Sequence, residues 1–268
     1  TKETLLLNGE DGDAARLLEN QSIANYKRLL AGKTLLVIDE AQQVKDIGQK
    51  LKLMVDELPG LRIIATGSSM FDLSNKLGEP LVGRKITLHL YPLAQIELQH
   101  KEDALQTKAN LEERLVYGGY PELWHLPQLK QKQEYLIELV DSYLLKDILA
   151  YEGIRKANKI HDLLRLLAFQ LGKEVSTHEL SNNLTGISRN TVEQYLDLLT
   201  KVFVIYSVSG YSNNLRKEVS KNKRWNFYDN GIRNAIIRNF NMLAMRKDTG
   251  ELWENYLSSE RIKFQSYT

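Results

Sequence analysis

Two adjacent carboxylates, Asp39 and Glu40, close a run of four apolar residues, Leu35-Leu36-Val37-Ile38. A continuous apolar run suits a strand covered on both faces, and such a strand delivers its last residues to the C-terminal edge of a parallel sheet, where α/β proteins bind ligands. An aspartate at that edge can hold a hydrated divalent cation, and a glutamate beside it can polarise a water for attack on a phosphoryl group. The same two acids also suit the start of a following helix, whose dipole favours negative charge. A second polar cluster, Thr66-Gly67-Ser68-Ser69, follows the apolar run Leu61–Ala65. Ser68 and Ser69 are candidates to touch a terminal phosphate or the attacking water; a serine there equally caps a helix. Arg84, in Leu81-Val82-Gly83-Arg84, is a candidate cation for the charge that develops during phosphoryl transfer, and also reads as a solvated surface arginine.

These side chains need a scaffold, and the flanking sequence predicts one. Leu5–Leu7, Leu35–Ile38 and, apart from Arg62, Leu61–Ala65 are short apolar runs without alternation, as expected for strands of a parallel sheet. Val44, Ile47, Leu51, Met54, Val55 and Leu58 recur at helical steps and stop at Pro59-Gly60. Ile86, Leu88 and Leu90 alternate before Pro92, which predicts a fourth strand. The alternation of strand and helix indicates an α/β layered domain with right-handed crossovers. Gly32-Lys33-Thr34 imitates the end of a phosphate loop, but Lys27 stands where the first glycine belongs. The triplet also feeds a strand, whereas a phosphate loop must open a helix so that backbone N–H groups face the anion.

The stretch from Leu5 to Leu98 resembles the AAA+ P-loop ATPases of bacteria and archaea that carry a C-terminal domain of unknown function. The resemblance lies in Leu6-Leu7-Asn8-Gly9-Glu10-Asp11, Asp39-Glu40-Ala41-Gln42, Ala65-Thr66-Gly67-Ser68-Ser69, Leu81-Val82-Gly83-Arg84 and Tyr91-Pro92-Leu93. It implies ATP and Mg²⁺ as cofactors, Asp39 as the magnesium residue acting through water, and Glu40 as the catalytic glutamate. It further implies Ser68 or Ser69 at the sensor position and Arg84 as the arginine nearest the nucleotide. The family's first strand, Walker A loop and following helix would all precede Thr1. The expected fold class is therefore α/β, a partial P-loop-type parallel sheet, followed by a mainly α winged-helix domain.

The second half is read as helices and a hairpin. Tyr117-Gly118-Gly119-Tyr120-Pro121-Glu122 is a turn, not a phosphate cradle, because no strand precedes it. One long amphipathic helix is predicted from Gln131 to Tyr151. From about Lys159 to Tyr228 the order is helix, helix, turn, helix, hairpin, the plan of a winged helix-turn-helix. Arg189, Asn190, Thr191 and Gln194 fall on the exposed side of the third helix, where a reading helix meets bases. Arg216, Lys217, Lys221, Lys223 and Arg224 gather in the wing, suited to phosphate contact or simply to water. Phe227–Asn234 and Gly250–Leu257 resemble the closing part of the same family, where the second motif opens a domain similar to PD-(D/E)xK nucleases. Glu254 is then a candidate metal carboxylate or an ordinary helix-face residue.

Composition narrows the field. The 268 residues carry a net charge of +2 and no cysteine, which excludes disulfide scaffolds, thiolate zinc sites and thiol nucleophiles. No apolar run reaches the ~20 residues that span a bilayer, and Thr1-Lys2-Glu3-Thr4 has no signal-peptide pattern, so a cytoplasmic location and no membrane partner are expected. The expected division is an ATPase core over 1–110, a helical connector over 111–155, a winged helix over 156–230, and the start of a nuclease-like domain over 231–268. ATP is the expected partner, with DNA and self-association as further candidates. A DNA-binding regulatory module on an inactive ATPase scaffold is the alternative function.

Overall fold

The computed structural model describes residues 3–67, 81–144, 157–209 and 223–267. It divides into two units, Thr1–Leu88 and His89–Thr268.

In the first unit, β1 (Thr4–Asn8), β2 (Leu35–Asp39) and β3 (Arg62–Ala65) form a parallel sheet in that order. The register puts Leu5, Leu36 and Ile63 in one row and Leu7, Ile38 and Ala65 in another on the same face. Helices α1 (Gly12–Glu19), α2 (Ile23–Leu29) and α3 (Ile47–Glu57) complete the core with these rows, burying Leu18, Tyr26, Ile47 and Met54 completely. The four-and-three spacing of Ile47, Leu51 and Met54 gives α3 its single apolar side. The other face of the sheet carries the row Leu6, Val37 and Ile64, with Leu6 68% and Ile64 50% exposed. The expected fourth strand is not formed. Ile86, Leu88 and Leu90 are 89%, 82% and 97% exposed, and their stretch joins no ladder among the described residues. Alternation selects a face, but a strand also needs a neighbour for its N–H and C=O groups.

The second unit is mainly helical. Its elements are α4 (Ala104–Tyr117), α5 (Leu129–Glu138), α6 (Ala157–Phe169), β4 (Glu174–Val175), α7 (Thr177–Asn183), α8 (Arg189–Lys201), β5 (Ile205–Ser209), β6 (Lys223–Phe227), α9 (Asn230–Ile236) and α10 (Thr249–Tyr267). The helix expected over Gln131–Tyr151 begins at Leu129, and its α-geometry gives way to a π-helical stretch over Leu139–Leu144. Residues 145–151 of that expectation lie outside the described residues. The strands make an antiparallel sheet in the order β4-β6-β5, with Ile205 opposite Phe227 and Ser209 opposite Lys223. Ser176 and Ser188 cap α7 and α8 by accepting from the N–H groups of Glu179 and Thr191. Helix α8 buries Val192, Tyr195, Leu196 and Leu199, the apolar side its sequence spacing defines.

Helix α9 lies at the centre of this unit, with all seven residues buried although three of them are polar: Asn230, Arg233 and Asn234. The last carbonyls of a helix lack intrahelical partners, and α9 supplies donors to two such ends. Asn230 Nδ2 donates to Leu115 O at 3.1 Å and Asn234 Nδ2 to Val116 O at 2.7 Å, both in the last turn of α4. Arg233 Nε donates to Ala168 O at 2.8 Å in the last turn of α6, where the helix dipole also favours a cation. Asp229 caps α9 itself and accepts from Gly119 N at 2.7 Å and Ile232 N at 3.1 Å. Burial pushes its carboxyl up; the Lys263 ammonium and these N–H groups oppose that shift. Gly231 is required here because a Cβ would sit 1.9 Å from Tyr117 O. Asn255 of α10 ties the assembly to the sheet, donating to Phe227 O and Asn230 Oδ1 and accepting from Phe227 N.

Candidate functional site

Strands β1, β2 and β3 run parallel, so Asn8, Asp39 and the residues after Ala65 reach the same C-terminal edge. The turn after β2 is clamped from both sides. Gly9 N donates to Asp39 O at 2.7 Å, and Ala41 N donates to Thr66 O at 2.9 Å. Position 9 has to be glycine, since a Cβ there would lie 2.3 Å from Glu40 O. Glu40 adopts the left-handed conformation, φ 47° and ψ 45°, before a short 3₁₀ turn over Ala41–Gln43. Such a conformation is unfavourable for an L-residue other than glycine and persists only where the surroundings fix it.

Each carboxylate has a neutral donor. Thr66 Oγ1 donates to Asp39 Oδ1, and Gln42 Nε2 donates to Glu40 Oε2. Asp39 is exposed and Glu40 half-buried at this edge. Mg²⁺ takes oxygen ligands, keeps several waters, and uses one or two carboxylates together with substrate phosphates. The Asp39 carboxylate with the Thr66 hydroxyl beside it fits that requirement. No group of three or more acidic or histidine side chains able to hold a metal by themselves occurs among the described residues.

The other expected residues fare differently. Ser68 and Ser69 lie outside the described residues. Arg84 is not brought to Asp39. Its Nε donates to Asp56 Oδ1 at 2.7 Å, in the last turn of α3. That helix starts near the C-terminal edge of β2 and returns the chain to the start of β3. The nine steps from Ile47 to Asp56 therefore carry Asp56 about 14 Å toward the opposite edge. The spacing of Leu81-Val82-Gly83-Arg84 gave no sign of this, because it is silent on which edge the chain reaches. Thr66 and Gln42 were the residues missed as individuals. Both stand inside the motifs quoted for their neighbours, and for Gln42 a polar residue two places beyond an acid in a tight turn was the available signal.

In the second unit, Arg189, Asn190 and Gln194 are exposed on α8, and Thr191 is half-buried. Arg189 Nε is held by Glu193 Oε1 at 3.0 Å and Thr177 Oγ1 at 2.9 Å. Lys223 and Arg224 are exposed at the start of β6, and Arg224 lies 3.8 Å from Glu174 and 3.4 Å from Glu254. Arg216, Lys217 and Lys221 lie outside the described residues. Glu254 thus serves an exposed ion pair.

Residues 108–243 match the family described as a domain of unknown function, DUF8612. The chain belongs to the DUF8612 family. Residues 1–99 match the AAA domain family, which supports an AAA-like ATPase fold for the unit that precedes the DUF8612 region. The similar curated proteins are described as uncharacterized. One from Haemophilus influenzae is 28% identical over 76% of this chain and 53% of its own length. One from Methanocaldococcus jannaschii is 26% identical over 84% and 54%, and one from Mycobacterium tuberculosis is 25% identical over 91% and 54%. The chain spans about half the length of these relatives. No helix among the described residues is long and apolar enough to cross a membrane.

Proposed function

We propose that this DUF8612 protein is an ATPase of the AAA type whose hydrolytic residues lie at the C-terminal edge of β2. The observation that carries the reading is the juxtaposition of Asp39, Glu40 and Thr66 at one edge of a parallel sheet, with the turn between them fixed by Gly9 and Ala41. In this reading Asp39 orients the waters of a bound Mg²⁺, which would neutralise charge on the β- and γ-phosphates. Glu40 accepts a hydrogen bond from the attacking water and draws away its proton as the bond to the γ-phosphorus forms and the bond from that phosphorus to the β,γ-bridging oxygen breaks, leaving ADP and phosphate. Turnover is coupled to rearrangement of domains or of associated copies. Arg84 has no part in this proposal.

We propose that the phosphate cradle is a strand, loop and helix placed beside β3. Two features of the first unit support that assignment. A cavity of about 530 Å³ separates Ile63 and Ala65 of β3 from Ile86 and Leu88, and its lining includes Leu51 and Leu81. Among the described residues the sheet face bearing Leu6 and Ile64 is exposed, whereas parallel sheets are covered on both faces. A strand beside β3 and a helix over that face would satisfy both. Mg²⁺-dependent ATP hydrolysis by the intact protein, lost with Asp39→Asn, is the expected result; hydrolysis that ignores Asp39→Asn would remove the site.

A second reading assigns DNA binding to the segment from α6 to β6 as a winged helix-turn-helix. The order helix, strand, helix, helix, hairpin favours it, as does the Ser188-capped α8 with Asn190 and Gln194 exposed. Glu193 and Asp197 on the same exposed side oppose it, because they repel phosphates and occupy Arg189 and Lys201. Affinity is accordingly expected to be weak and steeply salt-dependent, and to fall with Arg189→Glu. Duplex binding unchanged between 50 and 200 mM salt, measured by fluorescence anisotropy, would count against phosphate contact. The last residues, 231–268, are proposed to begin a nuclease-like domain.

A further inference from the structure

The side chain of Gln42 is a polar group in an apolar setting. It is 5% exposed, and its neighbours Ala41, Val44 and Ile47 are buried. Its Nε2 turns back two residues to donate to Glu40 Oε2. We infer that Gln42 is a positioning residue that fixes the carboxylate of Glu40. The inference rests on the reading of Glu40 as the group that polarises water.

Three features of the turn lead to it. The left-handed backbone of Glu40 folds the chain so that a side chain two places on can reach the glutamate from the protein side. Gly9 and Thr66 hold that turn through Asp39 O and Ala41 N, so the reach is built into the sheet edge. The donor is also of a suitable chemical type. A carboxylate has two oxygens with about four lone-pair sites, so one amide on Oε2 leaves Oε1 free to accept from a water. An ammonium or guanidinium in the same place would bind the carboxylate more tightly and lower its basicity, making it a poorer acceptor for the proton of water. A neutral amide restricts rotation of the glutamate while leaving it a base, which is the preorganisation that water activation needs.

Two measurements decide it. In this chain, the Gln42 side-chain amide protons are expected to exchange slowly with solvent in an NMR spectrum and to lose that protection in Glu40→Ala. Fast exchange in the unmodified chain would overturn the inference. In the intact protein with Mg-ATP, Gln42→Met keeps the length and burial of the side chain but removes the donor. It is expected to lower kcat about 10- to 100-fold with KM within about twofold and the thermal midpoint unchanged. A kcat sensitive to Glu40→Gln yet indifferent to Gln42→Met would eliminate Gln42 alone. Turnover indifferent to Glu40→Gln would eliminate the parent reading and this one together.

Discussion

Replacing Glu40 by Gln in the intact protein is expected to leave Mg-ATP binding within a few-fold and to cut the hydrolysis rate by about 10²- to 10⁴-fold, the range of a positioned general base. The amide is nearly isosteric with the carboxylate, so the left-handed turn and the hydrogen bond from Gln42 survive in altered form. What disappears is the ability to take a proton from water. Single-turnover kinetics with labelled ATP separate the two effects, because binding and cleavage are read in one experiment. Cleavage at the unmodified rate would show that Glu40 is a capping residue and nothing more. Sites of this kind place the acid that holds the metal and the acid that addresses the water on consecutive residues. Asp39→Asn and Glu40→Gln should therefore differ: the first weakens nucleotide binding in the presence of Mg²⁺, the second does not.

Removing Asp248 is expected to produce the largest loss of stability in the second unit. Asp248 accepts from Arg246 Nε and Nη2, both at 2.8 Å, and from Arg233 Nη1. The two guanidinium groups are 0% and 3% exposed. Asp248→Ala leaves both cations buried without their common anion, at a cost of about 3–5 kcal/mol. Burial alone would push the Asp248 carboxyl up, but hydrogen bonds from Arg246 and Arg233 and their charges hold it down to about 2. A lowered carboxyl stabilises the fold above its ordinary value of 3.8, and that contribution vanishes as pH falls through about 2. Over that window the loss is about 2 kcal/mol, smaller than for the alanine variant because a protonated carboxyl keeps its shape and some hydrogen bonds. Urea unfolding followed by tryptophan fluorescence isolates the effect, since Trp124, Trp225 and Trp253 are the only tryptophans and all belong to the second unit. Equal urea midpoints for the two proteins at pH 7 would contradict it.

What could be read in the sequence tracks how local the cause is. Leu35–Ile38 announces a strand because a doubly covered strand needs unbroken apolar side chains, Leu61–Ala65 does so apart from Arg62, and both form. Helix α8 could be read from its serine cap and its three- and four-residue steps. Asp39 and Glu40 could be placed at a sheet edge because four apolar residues lead into them. Ile86, Leu88 and Leu90 misled, since pairing depends on a neighbouring strand that no local pattern encodes. Arg84 misled for a related reason: its partner Asp56 is 28 residues away in sequence. The polar residues of α9 were visible only as a motif. Asn230, Arg233 and Asn234 would ordinarily mark a solvated face, and their burial follows from helix ends supplied by distant segments.

An oily helix can slide by a turn against its neighbours at modest cost, because one methyl contact replaces another. Helix α9 has no such freedom. Its amides and its guanidinium are matched to particular carbonyls, Asn230 to those of both Leu115 and Leu252, and a shift of 5.4 Å would break all of those matches at once. The elements it joins are thus geared to a single register. If nucleotide turnover moves this half of the protein, α4, α6 and α9 must travel as one block, with the bending taken up outside them.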